Sequence, residues 1–435
     1  MEPKILPAEA DCPCTEGMFP AGARRRRFLF AAGAAAVALP ATAIPAVAQA
    51  AGTAAPPPPP EDSTRVPGRP AGEEGGYGSR SPYETERRLL SAAPNRLTTY
   101  TLTPLASQIG NITASGLHYE RHHSGVAQID PARHSLMVHG MVDTPKRFSM
   151  ADIKRFPRVS RRHFIECSGN TAGAYQSANL KTVQLSHGLL STSEWTGVPF
   201  AVLAREVGLA PGASWVLAEG ADGAVMTRSI PLDKMLQDAV LAYGQNGEAI
   251  RPEQGFPLRL LLPGYEGNTH IKWLRRLQVS DKPFMTREET SKYTDLMADG
   301  IARQFVFTMD AKSVITFPSG EMQLPGPGFY EIGGLAWSGR GRVRAVEISL
   351  DGGATWYPAA LGDTPEPMCT VRFSFPWRWD GSPAHLQSRC TDETGYIQPT
   401  HDELVRLRGE NFYYHYNGIF GWSVGADGGV GHAAA

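Results

Sequence analysis

Apolar and polar positions change rhythm along this chain, and the change divides it. From about residue 95 to residue 304, short strand-like and helix-like runs are interleaved. His134-Ser135-Leu136-Met137-Val138-His139-Gly140 reads as a strand entering a turn. Ser149 to Phe156 predicts a helix with a serine cap, because a hydroxyl placed before the first turn satisfies a backbone N–H that the helix itself leaves over. Arg161 to Ile165 predicts a strand, Phe200 to Val207 a helix, and Pro257 to Leu262 a buried strand that stops at Pro263-Gly264. Tyr83 to Leu90 predicts one more short helix. Mixed short elements of this kind imply an α+β domain.

Beyond about Phe305 the helical runs thin out. Gly328 to Trp337, Val343 to Leu350, Met368 to Trp377 and Gly395 to Pro399 predict strands, and Asp351-Gly352-Gly353 is a turn signal between two of them. This is the pattern of an all-β, immunoglobulin-like sandwich. Asn411 to Phe420, with Phe412, Tyr413, Tyr414 and Tyr416, fits either a final strand or a partner-binding surface. The expected boundaries are 95–304 for the α+β domain, 305–425 for the sandwich and 426–435 for a C-terminal tail.

The residues before the first domain follow neither pattern. Arg24-Arg25-Arg26-Arg27 precede Phe28-Leu29-Phe30, and an alanine-rich apolar run extends to Val47-Ala48-Gln49-Ala50. These are the charged region, apolar region and small-residue cleavage site of an export signal. The Arg-Arg-x-Phe-Leu core from Arg25 to Leu29 resembles a twin-arginine signal, so residues 1–50 are expected to be cleaved after Ala50 and the protein to reach the periplasm. An uncleaved membrane anchor is the alternative, and the short, alanine-rich run argues against a stable span. Five consecutive prolines, Pro56 to Pro60, mark residues 51–94 as a linker and N-terminal extension.

Composition mainly excludes. With 435 residues, two folded domains and a tail are expected. There are 42 basic against 43 acidic residues, so the chain lacks the basic footprint of a nucleic-acid binder. Of the five cysteines, Cys12 and Cys14 would leave with the signal, and Cys167, Cys369 and Cys390 would remain. Three cannot all pair within one chain, and a Cys369–Cys390 disulfide would leave Cys167 as a thiol. No Cys-x-x-Cys-His occurs, so no covalent c-type haem is expected on this chain.

Three stretches could carry chemistry. His163-Phe164-Ile165-Glu166-Cys167-Ser168-Gly169-Asn170 delivers a cysteine from a strand into a Gly-Asn turn, where a metal would favour the thiolate; an inert buried cysteine is the plainer reading. Tyr119-Glu120-Arg121-His122-His123 holds an arginine whose fork suits oxyanions, and two histidines spaced too closely for an ordinary zinc site; a solvated loop is the plainer reading. Gly255-Phe256-Pro257-Leu258-Arg259 puts an arginine in an apolar strand, where it needs a phosphate or an internal carboxylate; His270-Ile271-Lys272-Trp273-Leu274 follows with a second cation.

In their order and spacing, Arg121-x-His123, Cys167-x-Gly169-Asn170, Gly255-Phe256-Pro257-x-Arg259 and His270-x-Lys272-Trp273-Leu274 resemble the sulfite oxidase family of molybdopterin oxidoreductases. The likeness runs over roughly residues 95–425. Ser349 to Trp356 is similar to that family's dimerisation domain. The resemblance implies a molybdenum–molybdopterin cofactor with one pyranopterin dithiolene, and Cys167 as the protein's ligand to the metal. It implies that Arg121 and His123 line the cofactor and substrate pocket, that Arg259 meets the pterin phosphate, and that His270 and Lys272 contact the cofactor. Tyr293 stands at the spacing of the family's active-site tyrosine, and Asp222 matches a pterin-contacting aspartate. A homodimer through the sandwich is also implied, to which Phe373 to Trp379 would contribute unless they form its core.

The departures bear on substrate. Where animal members follow Cys-x-Gly-Asn with two arginines, the second on the sulfite oxyanion, this chain has Thr171 and Ala172; Ser186 stands for a pocket tryptophan and Gln254 for a pterin-site histidine. Gly116 to His123 and Glu166 to Thr171 are similar to the sulfane dehydrogenase branch of the family, in the periplasmic Sox thiosulfate-oxidising system. That likeness implies a sulfane sulfur on a carrier-protein cysteine as substrate and a dihaem cytochrome c subunit as electron acceptor. The alternatives are a periplasmic sulfite:cytochrome c oxidoreductase acting on free sulfite, and a non-catalytic β-sandwich binding protein.

Overall fold

The computed structural model describes residues 78–91, 95–176, 180–409 and 411–433. The expected signal and most of the expected linker lie outside these residues. Residues 78–86 fall in a unit of their own, in which Glu84 N–H closes a turn on the Ser81 carbonyl at 3.0 Å. The helix expected over Tyr83 to Leu90 is absent. Pro82 and Tyr83 turn, and Leu89–Leu90 is a strand paired with Thr101 and Leu102. A helix that short has little to repay its nucleation, whereas a neighbouring strand satisfies the same backbone groups at once.

In chain order the first domain contains β1 (Ser135–Gly140), β2 (Lys146–Ser149), α1 (Met150–Arg155), β3 (Val159–Glu166), β4 (Leu190–Pro199), α2 (Phe200–Val207), β5 (Trp215–Gly220), β6 (Thr227–Pro231), α3 (Leu232–Asp238), β7 (Val240–Gln245), β8 (Arg259–Leu261) and β9 (Leu274–Ser280). One sheet has the order β2-β1-β9-β5-β6, with β1 and β9 parallel. In the other, β7 lies between β4 and the short strand Glu248–Ala249, β4 pairs onward with β3, and β8 also pairs with β7. α1 starts where expected, with a reciprocal capping box between Ser149 and Asp152. α2 buries Phe200, Leu203, Ala204 and Val207, which share one helical face. That face joins Leu136, Val138, Leu258, Leu260 and Leu277 in the core between the layers.

The second domain contains β10 (Lys312–Phe317), β11 (Gly328–Trp337), β12 (Val343–Ser349), β13 (Val371–Trp379), β14 (Ala384–Asp392), α4 (His401–Arg408), β15 (Gly421–Val424) and β16 (Val430–His432). β10-β11-β13 form one sheet and β12-β14-β15-β16 the other, each extended by a two-residue edge strand. The α+β domain followed by an all-β sandwich is therefore the observed architecture. Phe373, Trp377 and Trp379 are buried in the sandwich core.

Three expectations change. Gly395 to Pro399 forms no strand, because the Asp392 carboxylate takes the N–H groups of Thr394 and Tyr396 and shapes a turn there, leaving a single bridge between Thr391 and Ile397. Asn411 to Phe420 is neither a final strand nor a surface. It is irregular and mostly buried, with the Tyr413 and Tyr414 N–H groups on Asp295 Oδ1 and the His415 N–H on Ser168 O. The expected tail from 426 carries β16, which pairs with β15. Among the described residues no cysteine is in a disulfide, and Cys369 and Cys390 are each buried as thiols.

The two domains meet backbone to backbone. Met309 N–H donates to Gly264 O at 3.0 Å and Gly339 N–H to Met309 O at 2.7 Å. A Cβ on Gly339 would lie 2.1 Å from Gly264 O, so no side chain fits between these two turns. Gly339→Ala is expected to destabilise the chain by about 1–3 kcal/mol, the usual range for overpacking a close contact. A denaturant midpoint equal to wild type would contradict this packing.

Candidate active site

A cavity of about 730 Å³, its mouth included, opens where β3 ends against the loops after β8 and before β9. Cys167, Arg121, His123, Asp222, Arg259, His270, Lys272 and Tyr293 all line it. Residues separated by more than a hundred positions in sequence thus share one wall.

Cys167 follows directly on β3 and is 7% exposed. Its N–H donates to Leu189 O at 3.0 Å, and its carbonyl accepts from Asn170 N–H at 2.9 Å, which closes the turn. Asn170 supports the turn further, donating from Nδ2 to His187 O and accepting from Leu189 N–H. Among the described residues no three His, Cys, Asp or Glu side chains converge as a metal site.

Arg259 is 3% exposed, and among the described residues it has no carboxylate partner. Its guanidinium donates to the carbonyls of Gln254 (3.0 Å) and His270 (3.3 Å) and lies 4.9 Å from the centre of the Trp195 ring. Its buried Nε has no hydrogen-bond partner. Burial pulls its pKa down to about 10, so it stays charged at neutral pH. Of the two partners expected for it, the internal carboxylate does not pair with it among the described residues.

Lys272 sits beside it. Gly255, at φ +108°, makes the turn that a side chain would crowd, since a Cβ there would lie 3.0 Å from Lys272 Cβ. Lys272 Nζ donates to Arg121 O at 3.0 Å, Glu253 O at 3.0 Å and His122 Nδ1 at 2.9 Å. His122 Nε2 passes the chain on to Glu120 Oε2 at 2.6 Å, which also faces Arg88. Burial first, and the Arg259 charge second, push the Lys272 pKa down to about 7. Burial and the Lys272 charge likewise hold His122 at about 4, consistent with a neutral ring that accepts at Nδ1 and donates at Nε2.

At the other wall, Arg121 donates to Thr98 O at 3.1 Å and to His122 O. His123 Nε2 and Tyr293 Oη are 3.1 Å apart, and burial followed by the Arg121 charge keeps His123 neutral. The Tyr293 ring stacks on the Arg228 guanidinium at 4.9 Å, which is itself paired with Glu266 and Glu289. Asp222 holds a turn by accepting from Met226 N–H at 3.0 Å. His270 lines the cavity, and its ring nitrogens are bonded to the loop that carries it. Nε2 donates to Tyr265 O at 3.1 Å and Nδ1 accepts from Leu262 N–H at 3.4 Å, so both nitrogens are engaged with backbone and the ring braces the loop. The sequence reading missed His118 and Asn268, which also line the cavity. Asn268 bonds Ser168 Oγ at 3.0 Å, a contact that no local motif announces.

The sequence model of an Oxidoreductase molybdopterin binding domain matches residues 123–288, and that of a Mo-co oxidoreductase dimerisation domain matches residues 303–419. The solved structure of the sulfane dehydrogenase SoxCD from Paracoccus pantotrophus is similar at 42% identity and a TM-score of 0.83, over 85% of this chain and 96% of that one. Nitrate reductase [NADH] 2 of Phaseolus vulgaris is 31% identical over 62% of this chain and 34% of its own length. Nitrate reductase [NADH] 1 of Oryza sativa subsp. japonica is 32% identical over 62% and 33%. The chain thus spans about a third of the length of these curated relatives. The residues present fit a molybdopterin: one cysteine sulfur, a buried arginine with an unused Nε, and a lysine whose ammonium bonds two carbonyls and a histidine rather than a carboxylate directly.

Two outcomes follow. Arg259→Met is expected to leave the cofactor-free chain at least as stable as wild type, because an uncompensated buried cation is removed. It is also expected to weaken inorganic phosphate binding on the order of 10- to 100-fold, the worth of a charged hydrogen bond. A denaturant midpoint checks the first part and calorimetric titration with phosphate the second, and unchanged phosphate affinity would contradict the anion assignment. Because Lys272 is held near 7 in the folded chain and ionises near 10.4 unfolded, the folded state binds fewer protons across that window. The Lys272 penalty is therefore full below about pH 7 and is relieved as pH rises toward 10.4. Denaturation midpoints of the cofactor-free chain should gain from this group with rising pH, and Lys272→Met should remove that gain.

Proposed function

This chain belongs to the sulfite oxidase family of molybdopterin oxidoreductases, and we propose that it oxidises sulfane sulfur carried on a partner protein's cysteine. In this reading the chain acts in the periplasm as the molybdenum subunit of a sulfane dehydrogenase, and its electrons pass to a dihaem c-type cytochrome subunit. The likeness to SoxCD, which spans nearly all of that chain, supports it.

The observation that carries the reading is the direction of Thr171. Its Oγ1 donates to Ser186 O at 2.8 Å and accepts from Lys312 Nζ at 2.9 Å, while Ala172 is buried beside it. The loop beyond Asn170 therefore adds no cation to the cavity. Free sulfite, a small dianion, gains from every cation it can reach; a sulfur tethered to a protein gains from an uncrowded approach.

When bound, the molybdenum–pterin group supplies a two-electron couple and a transferable oxygen, and Cys167 would hold its metal. Arg259 and Lys272 would hold its phosphate. Arg121, braced on the Thr98 and His122 carbonyls, presents a guanidinium to the oxygens that the sulfur acquires. Tyr293 Oη and His123 Nε2, 3.1 Å apart, can move a proton between them as negative charge develops nearby. Each oxygen comes from water and releases two protons and two electrons, so a persulfide R–S–S⁻ becomes R–S–SO₃⁻ after three such oxidations. The Arg25 to Leu29 stretch supports export of the already folded, loaded chain.

The test is a steady-state assay of the molybdenum-loaded chain with its cytochrome, offered either a carrier protein bearing a cysteine-bound sulfane or free sulfite. Turnover on the carrier alone is expected. Efficient turnover of free sulfite would overturn the proposal in favour of a sulfite dehydrogenase. Cys167→Ser should keep the fold by circular dichroism and lose at least about 100-fold in activity, beyond what loss of a supporting contact around a metal costs.

A further inference from the structure

The turn that carries Cys167 is gripped from behind by a charge pair that crosses the domain boundary. Glu166, the last residue of β3, has no exposed surface. Its Oε1 accepts from Lys312 Nζ at 3.0 Å and from Asn170 Nδ2 at 2.9 Å, and its Oε2 accepts from Trp337 Nε1 at 2.6 Å. Lys312 opens β10 and Trp337 ends β11, and the sheet register sets them opposite each other. The sandwich domain thus presents an ammonium and an indole N–H to a carboxylate of the other domain.

The grip continues into the turn. Lys312 Nζ also donates to Thr171 Oγ1 at 2.9 Å and lies 3.5 Å from Asn170 O. Thr171 sits at φ +67°, a left-handed conformation that disfavours a β-branched residue, and its two hydroxyl bonds hold it there. Both ends of the segment from Glu166 to Thr171 are consequently fastened to one ammonium group. Removing a buried charge from such a set leaves its partner uncompensated, so the group cannot be exchanged for a neutral one without the turn responding.

We propose that Lys312 is a positioning residue for the Cys167 turn: by bridging Glu166 and Thr171 it fixes the conformation that presents the thiolate to the cavity, and it makes the sandwich domain part of the active site. The proposal deepens the molybdenum–thiolate reading and rests on it. Two readouts test it separately. One is the alkylation rate of Cys167 by iodoacetamide in the cofactor-free chain, resolved by peptide mass spectrometry. The other is the thiolate-to-molybdenum charge-transfer absorption of the loaded enzyme.

Lys312→Met is expected to change the alkylation rate on the order of tenfold, equivalent to about 1.4 kcal/mol, and to shift the absorption band. Ser149→Ala, which removes the capping box of α1 at a cost of about 1 kcal/mol and lines neither the cavity nor the turn, is the control and should move neither. If Lys312→Met lowers the melting temperature but leaves both readouts at wild-type values, the pair is only a structural bridge and the proposal fails. Should Lys312→Met not fold, Thr171→Val removes the Lys312–Thr171 bond while keeping the ion pair. It is expected to change the alkylation rate as well, and wild-type values in both readouts would overturn the proposal. Absence of the charge-transfer band from the wild-type loaded enzyme would instead defeat the ligand reading, and the alkylation arm would still decide the positioning.

Discussion

Charge withdrawn from water has to be met by opposite charge or by hydrogen bonds, and the cavity is organised by two ways of meeting that demand. Around its back, buried charges answer one another. Glu166 meets Lys312, and Arg228 meets Glu266 and Glu289, all with almost no exposed side-chain surface. Along one side, Arg259 and Lys272 are met by carbonyls, a histidine and indole rings. Closed pairs stiffen the wall. Two cations without a directly paired carboxylate suit the cavity to an anion, and burial followed by the Arg259 charge pushes the Lys272 pKa down to about 7.

The same division explains why two domains build one site. The first domain supplies Cys167 on the end of a strand, but a strand end followed by a turn is held at one side only. The second domain closes the other side through Lys312 and Trp337, and the irregular segment before β15 adds the His415 N–H on Ser168 O. His415 Nε2 also reaches Glu266 at 3.1 Å, tying that segment to the Arg228 cluster under Tyr293. Stability and site geometry are therefore not separable at this boundary. A substitution in the sandwich can reach the thiolate through two hydrogen bonds.

Much of the fold was legible because it is local. A serine before a helical run, an alternating strand ending on glycine and a helix with one apolar face each declare themselves within a few residues, and β1, α1 and α2 lie where expected. The failures have one local cause and two distant ones. The 83–90 segment found a strand partner more than ten residues away, and Asp392 captured the N–H groups that a strand at 395–399 would have offered to a neighbour. Aromatic density at 411–420 suggested a surface or a strand. Burial was decided instead by Asp295 and Ser168, which no reading of that segment contains.

The sequence by itself determined which groups are available: one thiolate in a Gly-Asn turn, an arginine in an apolar strand, and Thr171 and Ala172 in place of two arginines. It determined them because side-chain chemistry and short-range periodicity belong to the chain. Tertiary structure alone decided that Arg259 would lack a carboxylate, that His270 would spend both nitrogens on backbone, and that Lys312 would stand behind Cys167. Those outcomes depend on which distant atoms are brought within about 3 Å, and hydrogen bonding and desolvation act only at that range.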